Sequence, residues 1–265
     1  MLRSSRTLAR IIGSLLLGSA LPVTAATVAL AVVGCKDESQ PEYWVDKLDE
    51  AWWRARAVTR LTQFFEDALT RSNKDLKAAE VQELINKTVE PLTKLYLEHG
   101  DNLDSKTRVA LIKLLSGYKD KRAEPAFKKA FTDFAKQPRT SKDDQDIKWA
   151  AIAAGEMNLE SLAGPMLDAF MKLRANTMLG GVVYKDYNAA MLQMPQKSWV
   201  GPLVQKLEAE VTPPQSKKDR GGIEDYMDQQ FWQTTAASLL GRIGDPAAVE
   251  PLIKVILDPA KVDFH

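Results

Sequence analysis

The fold is decided by residues 232–257. They read Trp232-Gln233-Thr234-Thr235-Ala236-Ala237-Ser238-Leu239-Leu240-Gly241-Arg242-Ile243-Gly244, then Asp245-Pro246-Ala247-Ala248, then Val249-Glu250-Pro251-Leu252-Ile253-Lys254-Val255-Ile256-Leu257. In the first block, apolar residues fall three and four apart, the period of a helix face. Gly244 supplies a helix stop, and Asp245-Pro246 turns the chain. Pro251 then opens a second helix, because a proline lacks only an N–H that would go unpaired in the first turn anyway. The unit is a helical hairpin.

Its second half recurs along the chain. The same Pro-centred motif appears as Val89-Glu90-Pro91-Leu92, Ala123-Glu124-Pro125-Ala126, Ala163-Gly164-Pro165-Met166 and Val200-Gly201-Pro202-Leu203. Each is expected to start a helix of about ten residues. First helices are expected at Thr107–Gly117, at Trp149–Gly155 and, in degenerate form, at Asn188–Met194. An irregular pair precedes them, Tyr43–Leu69 and Ala78–Leu97. Nothing reads as β: there is no sustained period-2 alternation, and no Asn-Gly or Asp-Gly turn. Ala151, Ala153, Ala154, Ala236 and Ala237 suit close helix approach. Leu111, Leu114, Leu115, Leu239, Leu240, Ile253 and Ile256 are expected in the core. Trp52 and Trp53 are adjacent and cannot share one helix face; one of them is expected to pack, and core is the expectation for the aromatics generally.

The Ala-rich helix, Gly-Asp-Pro turn and Val-Glu-Pro-Leu helix of residues 232–257 resemble the repeats of the HEAT family, HEAT/armadillo-like in architecture. A recurrence at 34–49 residues with helix–turn–helix content is the mark of an α-solenoid, in which stacked repeats bury one continuous core. The resemblance implies an all-α, right-handed α-solenoid of about five HEAT-like hairpins over residues 42–265. It also implies that the second helices line the concave side.

The N-terminus reads differently. Arg3, Arg6 and Arg10 are followed by a stretch without charge from Ile11 to Gly34. That is the layout of an export signal. It ends Val32-Val33-Gly34-Cys35, which resembles the looser form of the bacterial lipobox, and Cys35 is the only cysteine of the 265 residues. The resemblance implies a lipoprotein signal peptide at 1–34, cleaved before a lipidated Cys35, and a tether at 35–41. Multiple acyl chains then hold the protein stably, where one chain would not. An uncleaved membrane anchor is the second reading, since the run exceeds the ~20 residues that span a bilayer; Pro22 and the small residues weaken it. Cleavage near Ala25 or Ala26 is the third. All three export the chain, the third as a secreted protein; the lipobox reading places it in a bacterial cell envelope, facing the periplasm or the exterior. Under the enterobacterial sorting rule an Asp after the cysteine retains a lipoprotein at the inner membrane, so Lys36 points to the outer membrane.

Composition removes most chemistry. One Cys and two His, His99 and His265, leave no disulfide, no Cys-based metal cage and little for a His-dependent triad. The formal charge of +1 gives no global attraction for nucleic acid, and losing the three signal arginines makes the mature body slightly acidic. There is no phosphate loop, no Gly-x-Ser-x-Gly elbow and no His-Glu-x-x-His. No catalytic, cofactor or metal residues are expected. Asp143-Asp144-Gln145-Asp146 lacks the pattern of a calcium loop and is expected to cap the helix beginning near Ile147. Gly180-Gly181 is expected to be a hinge or loop.

Two features suit binding. One is the position three after each motif proline: Lys94, Lys128, Asp168, Gln205 and Lys254, a polar and partly basic strip along the second helices. The other is the stretch from Thr212 to Gln230, a candidate binding loop carrying Lys217, Lys218, Arg220 and Tyr226; long insertions in repeat proteins tend to lie on one face. The expected function is a non-catalytic, membrane-anchored scaffold that binds a protein partner. Two alternatives stand beside it. One is an enzyme or ligand-handling protein resembling the bilin lyases. The other is a structural envelope protein that self-associates through its C-terminal repeat.

Overall fold

A computed structural model describes residues 37–210 and 212–257. The expected signal segment, Cys35 with its expected lipidation, and His265 lie outside the described residues. Within them the structure is all-helical, with eleven α-helices. None of these helices is long and apolar enough to cross a membrane.

Two layers of helices make up the body. The first helices of the hairpins are α2 (Arg54–Arg71), α4 (Ser105–Tyr118), α6 (Asp146–Met157), α8 (Met178–Gln193) and α10 (Arg220–Ile243). Each packs against the next in that series. The second helices are α3 (Ala79–His99), α5 (Glu124–Lys136), α7 (Ala163–Lys172), α9 (Val200–Glu208) and α11 (Val249–Leu257). There α3 packs on α5, α5 on α7, and α9 on α11. A short α1 (Pro41–Asp46) closes the N-terminal end against α2 and α3. The core runs between the layers as one buried cluster from Trp44 to Ala248.

The turn between the paired helices has a common chemistry. Lys119, Asn158 and Gly244 all adopt left-handed backbone, at φ 52°, 50° and 66°, directly after α4, α6 and α10. Asp120 and Asp245 then accept from the backbone N–H of Arg122 and Ala247. A single 3-10 turn follows and leads into the second helix. Among the described residues, only at Gly244 does a glycine end a helix this way. Gly117 and Gly155 lie inside α4 and α6, which run on to Tyr118 and Met157. At Gly155 a Cβ would meet the Ala190 carbonyl oxygen at 2.8 Å, so this glycine lets α6 and α8 approach closely.

Several expectations need correction. Pro125, Pro165, Pro202 and Pro251 sit in the first turn of their helices, but Pro91 lies in the interior of α3. No breaker precedes it, and Val81, Leu84, Ile85, Val89, Leu92, Leu95 and Tyr96 form one buried stripe. That packing outweighs the hydrogen bond a proline removes. Tyr43–Leu69 is broken into α1, a 3-10 turn at Lys47–Asp49, and α2. Pro41 is the first residue of α1, so the folded body begins inside the expected tether. The degenerate Asn188–Met194 helix is the end of a complete sixteen-residue α8. Gly180 and Gly181 belong to its first turn; the Gly180 N–H bonds the Thr177 hydroxyl, and a Cβ there would strike the Arg174 carbonyl. Ile253 and Ile256 are 50% and 67% exposed, and Trp52 is 97% exposed.

Candidate functional site

The second helices share a register. The residue one after each motif proline is buried in α3, α5, α7 and α9: Leu92, Ala126, Met166 and Leu203. Five after the proline lie Tyr96, Ala130, Phe170 and Leu207, also buried. One helical turn separates these positions, so they make one stripe. The position three after the proline then faces away from it. Lys94, Lys128, Asp168, Gln205 and Lys254 are all exposed on one face of α3, α5, α7, α9 and α11.

This face is indented at three places. A cleft of about 420 Å³ joins α3 to the N-terminal segment and holds Asp46, Asp49, Glu90, Lys94, Glu98 and His99. Another of about 350 Å³ lies between α5 and α7, lined by Thr132, Lys136, Pro165, Asp168, Met171 and Lys172. A third of about 450 Å³ lies between α7 and α9, lined by Met171, Lys172, Pro202, Gln205, Lys206 and Ala209. Met171 and Lys172 wall both of the last two, so the clefts adjoin across α7. Lys128 lies outside the linings, and the Lys254 ammonium reaches the Glu208 carboxylate at 3.5 Å.

Glu98, Thr132, Lys172 and Ala209, missed by sequence reasoning, stand seven after their prolines. Seven is one further turn along the face already defined by position three, so the signal was available. Lys136 stands a turn beyond Thr132. Lys206 is held with its ammonium 5.2 Å from the Trp232 ring centroid, a cation–π contact that fixes it at the groove wall. The α5–α9 groove therefore carries Lys136, Lys172 and Lys206 against Asp168.

The expected loop at Thr212–Gln230 is largely helix. Arg220 is the first residue of α10 and Tyr226 lies two turns in, accepting a bond from the Gln230 amide at 2.8 Å. Lys217 and Lys218 remain exposed in the turn before it. The extension has its own docking partner. Arg174 pairs with Asp225 at 2.6 Å, and the Ala175 N–H donates to Asp228 at 3.0 Å. Acidic side chains on α10 thus clasp the segment joining α7 to α8.

The aspartate cluster at residues 143–146 also has a role other than the expected one. No side chain of this cluster caps α6. Asp146, fully buried, accepts from the Tyr96 hydroxyl at 2.9 Å, from Arg108 Nε at 3.2 Å and from Arg139 at 2.8 Å. Asp144 accepts from Arg108 and from the Ser105 hydroxyl. Burial, and then the Asp146 charge, push the Tyr96 phenol well above its ordinary pKa. This is an internal ion network that ties α3, α4 and α6 together. Among the described residues no group of three His, Cys, Asp or Glu is placed to hold a metal ion.

Residues 232–258 match the family model described as the PBS lyase HEAT-like repeat. No curated protein and no solved structure matches the chain.

Proposed function

Taking the chain as a HEAT-repeat protein, we propose that it is a non-catalytic scaffold which binds an extended segment of a protein partner along its second-helix face. In this reading the hairpins coil as a right-handed solenoid, with that face on the concave side. Lipid on Cys35 holds the scaffold at a membrane of a bacterial cell envelope, the outer membrane by the Lys36 criterion. The observation that carries the reading is the run of adjoining clefts from α5 to α9, lined at regular helical positions. Lys136, Lys172 and Lys206 favour a partner segment with acidic residues, since complementary charge steers encounter and selects against wrong partners. Photo-crosslinkers placed at Lys128, Thr132 or Lys172 in the native protein should capture one partner. The Lys136→Glu/Lys172→Glu variant should release it while leaving the unfolding midpoint unchanged. Equal capture from a crosslinker on the exposed face of α2 would defeat the reading.

A second reading, self-association through α11, is favoured by one observation. Position five after the proline is buried in the other four second helices, yet Ile256 is 67% exposed, with Val249, Ile253 and Leu257 exposed beside it. If this face pairs two copies, Ile253→Glu/Ile256→Glu should halve the mass measured by light scattering. An unchanged monomer mass in the parent chain rejects it.

A further inference from the structure

Trp52 is 97% exposed, in the turn between the 3-10 segment Lys47–Asp49 and α2. A tryptophan buries more apolar surface than almost any other side chain, and soluble surfaces seldom display one whole. The turn that displays it is firmly built. The Trp53 N–H donates to the Glu50 carbonyl at 2.8 Å, and Arg54 Nε closes onto the Leu48 carbonyl at 3.1 Å. Trp53 folds inward and meets the buried Trp44 edge-on, with ring centroids 6.3 Å apart. The Arg56 guanidinium lies over both rings, at 5.3 and 5.2 Å. Of two adjacent tryptophans, one anchors the turn and the other is held out into solvent.

The segment before α1 is fastened to the same cluster. Trp44 Nε1 donates to the Glu38 carbonyl at 2.8 Å, and the Glu38 carboxylate lies 3.4 Å from Arg56. Cys35 is three residues before Glu38, a reach of at most ~11 Å of extended chain. A lipid on Cys35 therefore brings a bilayer surface to this end of the body. Acidic residues outnumber basic ones over positions 37–60, so charge does not draw this end to an anionic surface. An exposed indole does suit the bilayer interface, where its apolar ring and polar N–H both find partners.

We propose that Trp52 is a membrane-interface contact that inserts into the headgroup region and, with the short lipid tether, fixes the orientation of the scaffold on the bilayer. The proposal rests on the lipid-anchor reading, and its test separates the two. The native lipoprotein is purified, its N-terminus is read by mass spectrometry, and it is reconstituted on phosphatidylcholine vesicles whose acyl chains are brominated near the headgroup. Bromine quenches only indoles at the interface. The wild-type protein should lose emission on the order of one tryptophan in six, unchanged at ~0.5 M salt because the contact is apolar. The Trp52→Ala variant should lose essentially none, while remaining vesicle-bound and keeping its circular-dichroism melting temperature. Equal quenching in both, or none in either, with Cys35 lipidated overturns the insertion and leaves the anchor standing. An unmodified Cys35 within an intact signal overturns the anchor, and the insertion with it.

Discussion

Asp146→Asn is the sharpest test of what holds the middle repeats together. The substitution keeps the shape of the side chain and removes its charge. In the native protein that charge, with no solvent exposure, faces Arg108, Arg139 and the Tyr96 hydroxyl. Removing one partner of a buried ion pair costs about 3–5 kcal/mol, because the remaining charge stays desolvated. Two features place this case at the low end. Arg108 keeps Asp144, and the Arg139 side chain is 22% exposed and reaches water. The expectation is about 3 kcal/mol, a rise of about 150-fold in the unfolded-to-folded ratio. Urea unfolding followed by circular dichroism reads it directly. With a slope of about 3 kcal/mol/M, the midpoint falls by about 1 M at an unchanged slope. A double-mutant cycle of Asp146→Ala with Arg108→Ala isolates the pair, with an expected coupling of at least ~1 kcal/mol. A loss below ~1 kcal/mol in the Asn variant, or additivity within ~0.5 kcal/mol in the cycle, would refute the network as the tie between α3, α4 and α6.

Four further outcomes follow from other contacts. Asp104 caps α4 by accepting from the Thr107 hydroxyl and backbone N–H, so Asp104→Ala should cost about 1 kcal/mol in the same urea assay. The Thr107 hydroxyl foremost holds the Asp104 carboxylate below its usual range, and contacts with Lys129 and Arg122 do the same for Asp101 and Asp120. Depressed carboxylates stabilise the fold above their unfolded pKa of about 4 and lose that contribution as pH falls through the folded values, so a titration should show a stability decline below about pH 4, shallower in Asp104→Ala. Gly155→Ala should destabilise by about 1–3 kcal/mol despite alanine's better helix propensity, because its Cβ meets the Ala190 carbonyl; a more stable variant would show that α6 and α8 can part freely. Phe170 stacks on Tyr187 at 4.9 Å and meets Trp232 edge-on at 5.0 Å, so Phe170→Ala should cost about 3–5 kcal/mol, read as a lower melting temperature.

The hairpin of residues 232–257 was legible because every device in it is local. Gly244 takes left-handed backbone, Asp245 caps the 3-10 turn, and Pro251 sits in the first turn of α11. The equivalent turn after α4 was harder to read because Lys119 fills the left-handed position. Lysine carries no turn signal and disfavours this backbone; its side chain is exposed, and the local turn sets it there, with the Lys119 N–H donating to the Ser116 carbonyl. Asp146 was misread for a related reason. A carboxylate at the first residue of a helix is the ordinary sign of dipole complementation. Its actual partners, Tyr96, Arg108 and Arg139, come from three other segments and share no sequence pattern. Arg220 and Tyr226 read as loop because Pro213-Pro214 precedes them both and Gly221-Gly222 lies between them. Tertiary contacts from Arg174 and Ala175 nevertheless dock a helix that starts between those signals.

Pro91 shows what the repeat conserves physically. It does not start its helix, yet Leu92 and Tyr96 are buried and Lys94 is exposed, as their counterparts are in α5, α7 and α9. The proline marks the register of the apolar stripe, and the helix start is free to move. That is why a rule derived from the motif found exposed residues on α3 as reliably as on helices that begin at the proline. It also explains why extending the rule by one turn reaches Glu98, Thr132, Lys172 and Ala209, each at a cleft. A groove that follows the register of the core has its floor set by packing, while positions three and seven vary in charge without disturbing the stack. Exchanging Lys136 and Lys172 for glutamate should therefore alter what binds and leave the urea-unfolding free energy within ~0.5 kcal/mol of the parent. A larger loss would mean that these lysines belong to the fold and that the groove cannot be varied independently of the core beneath it.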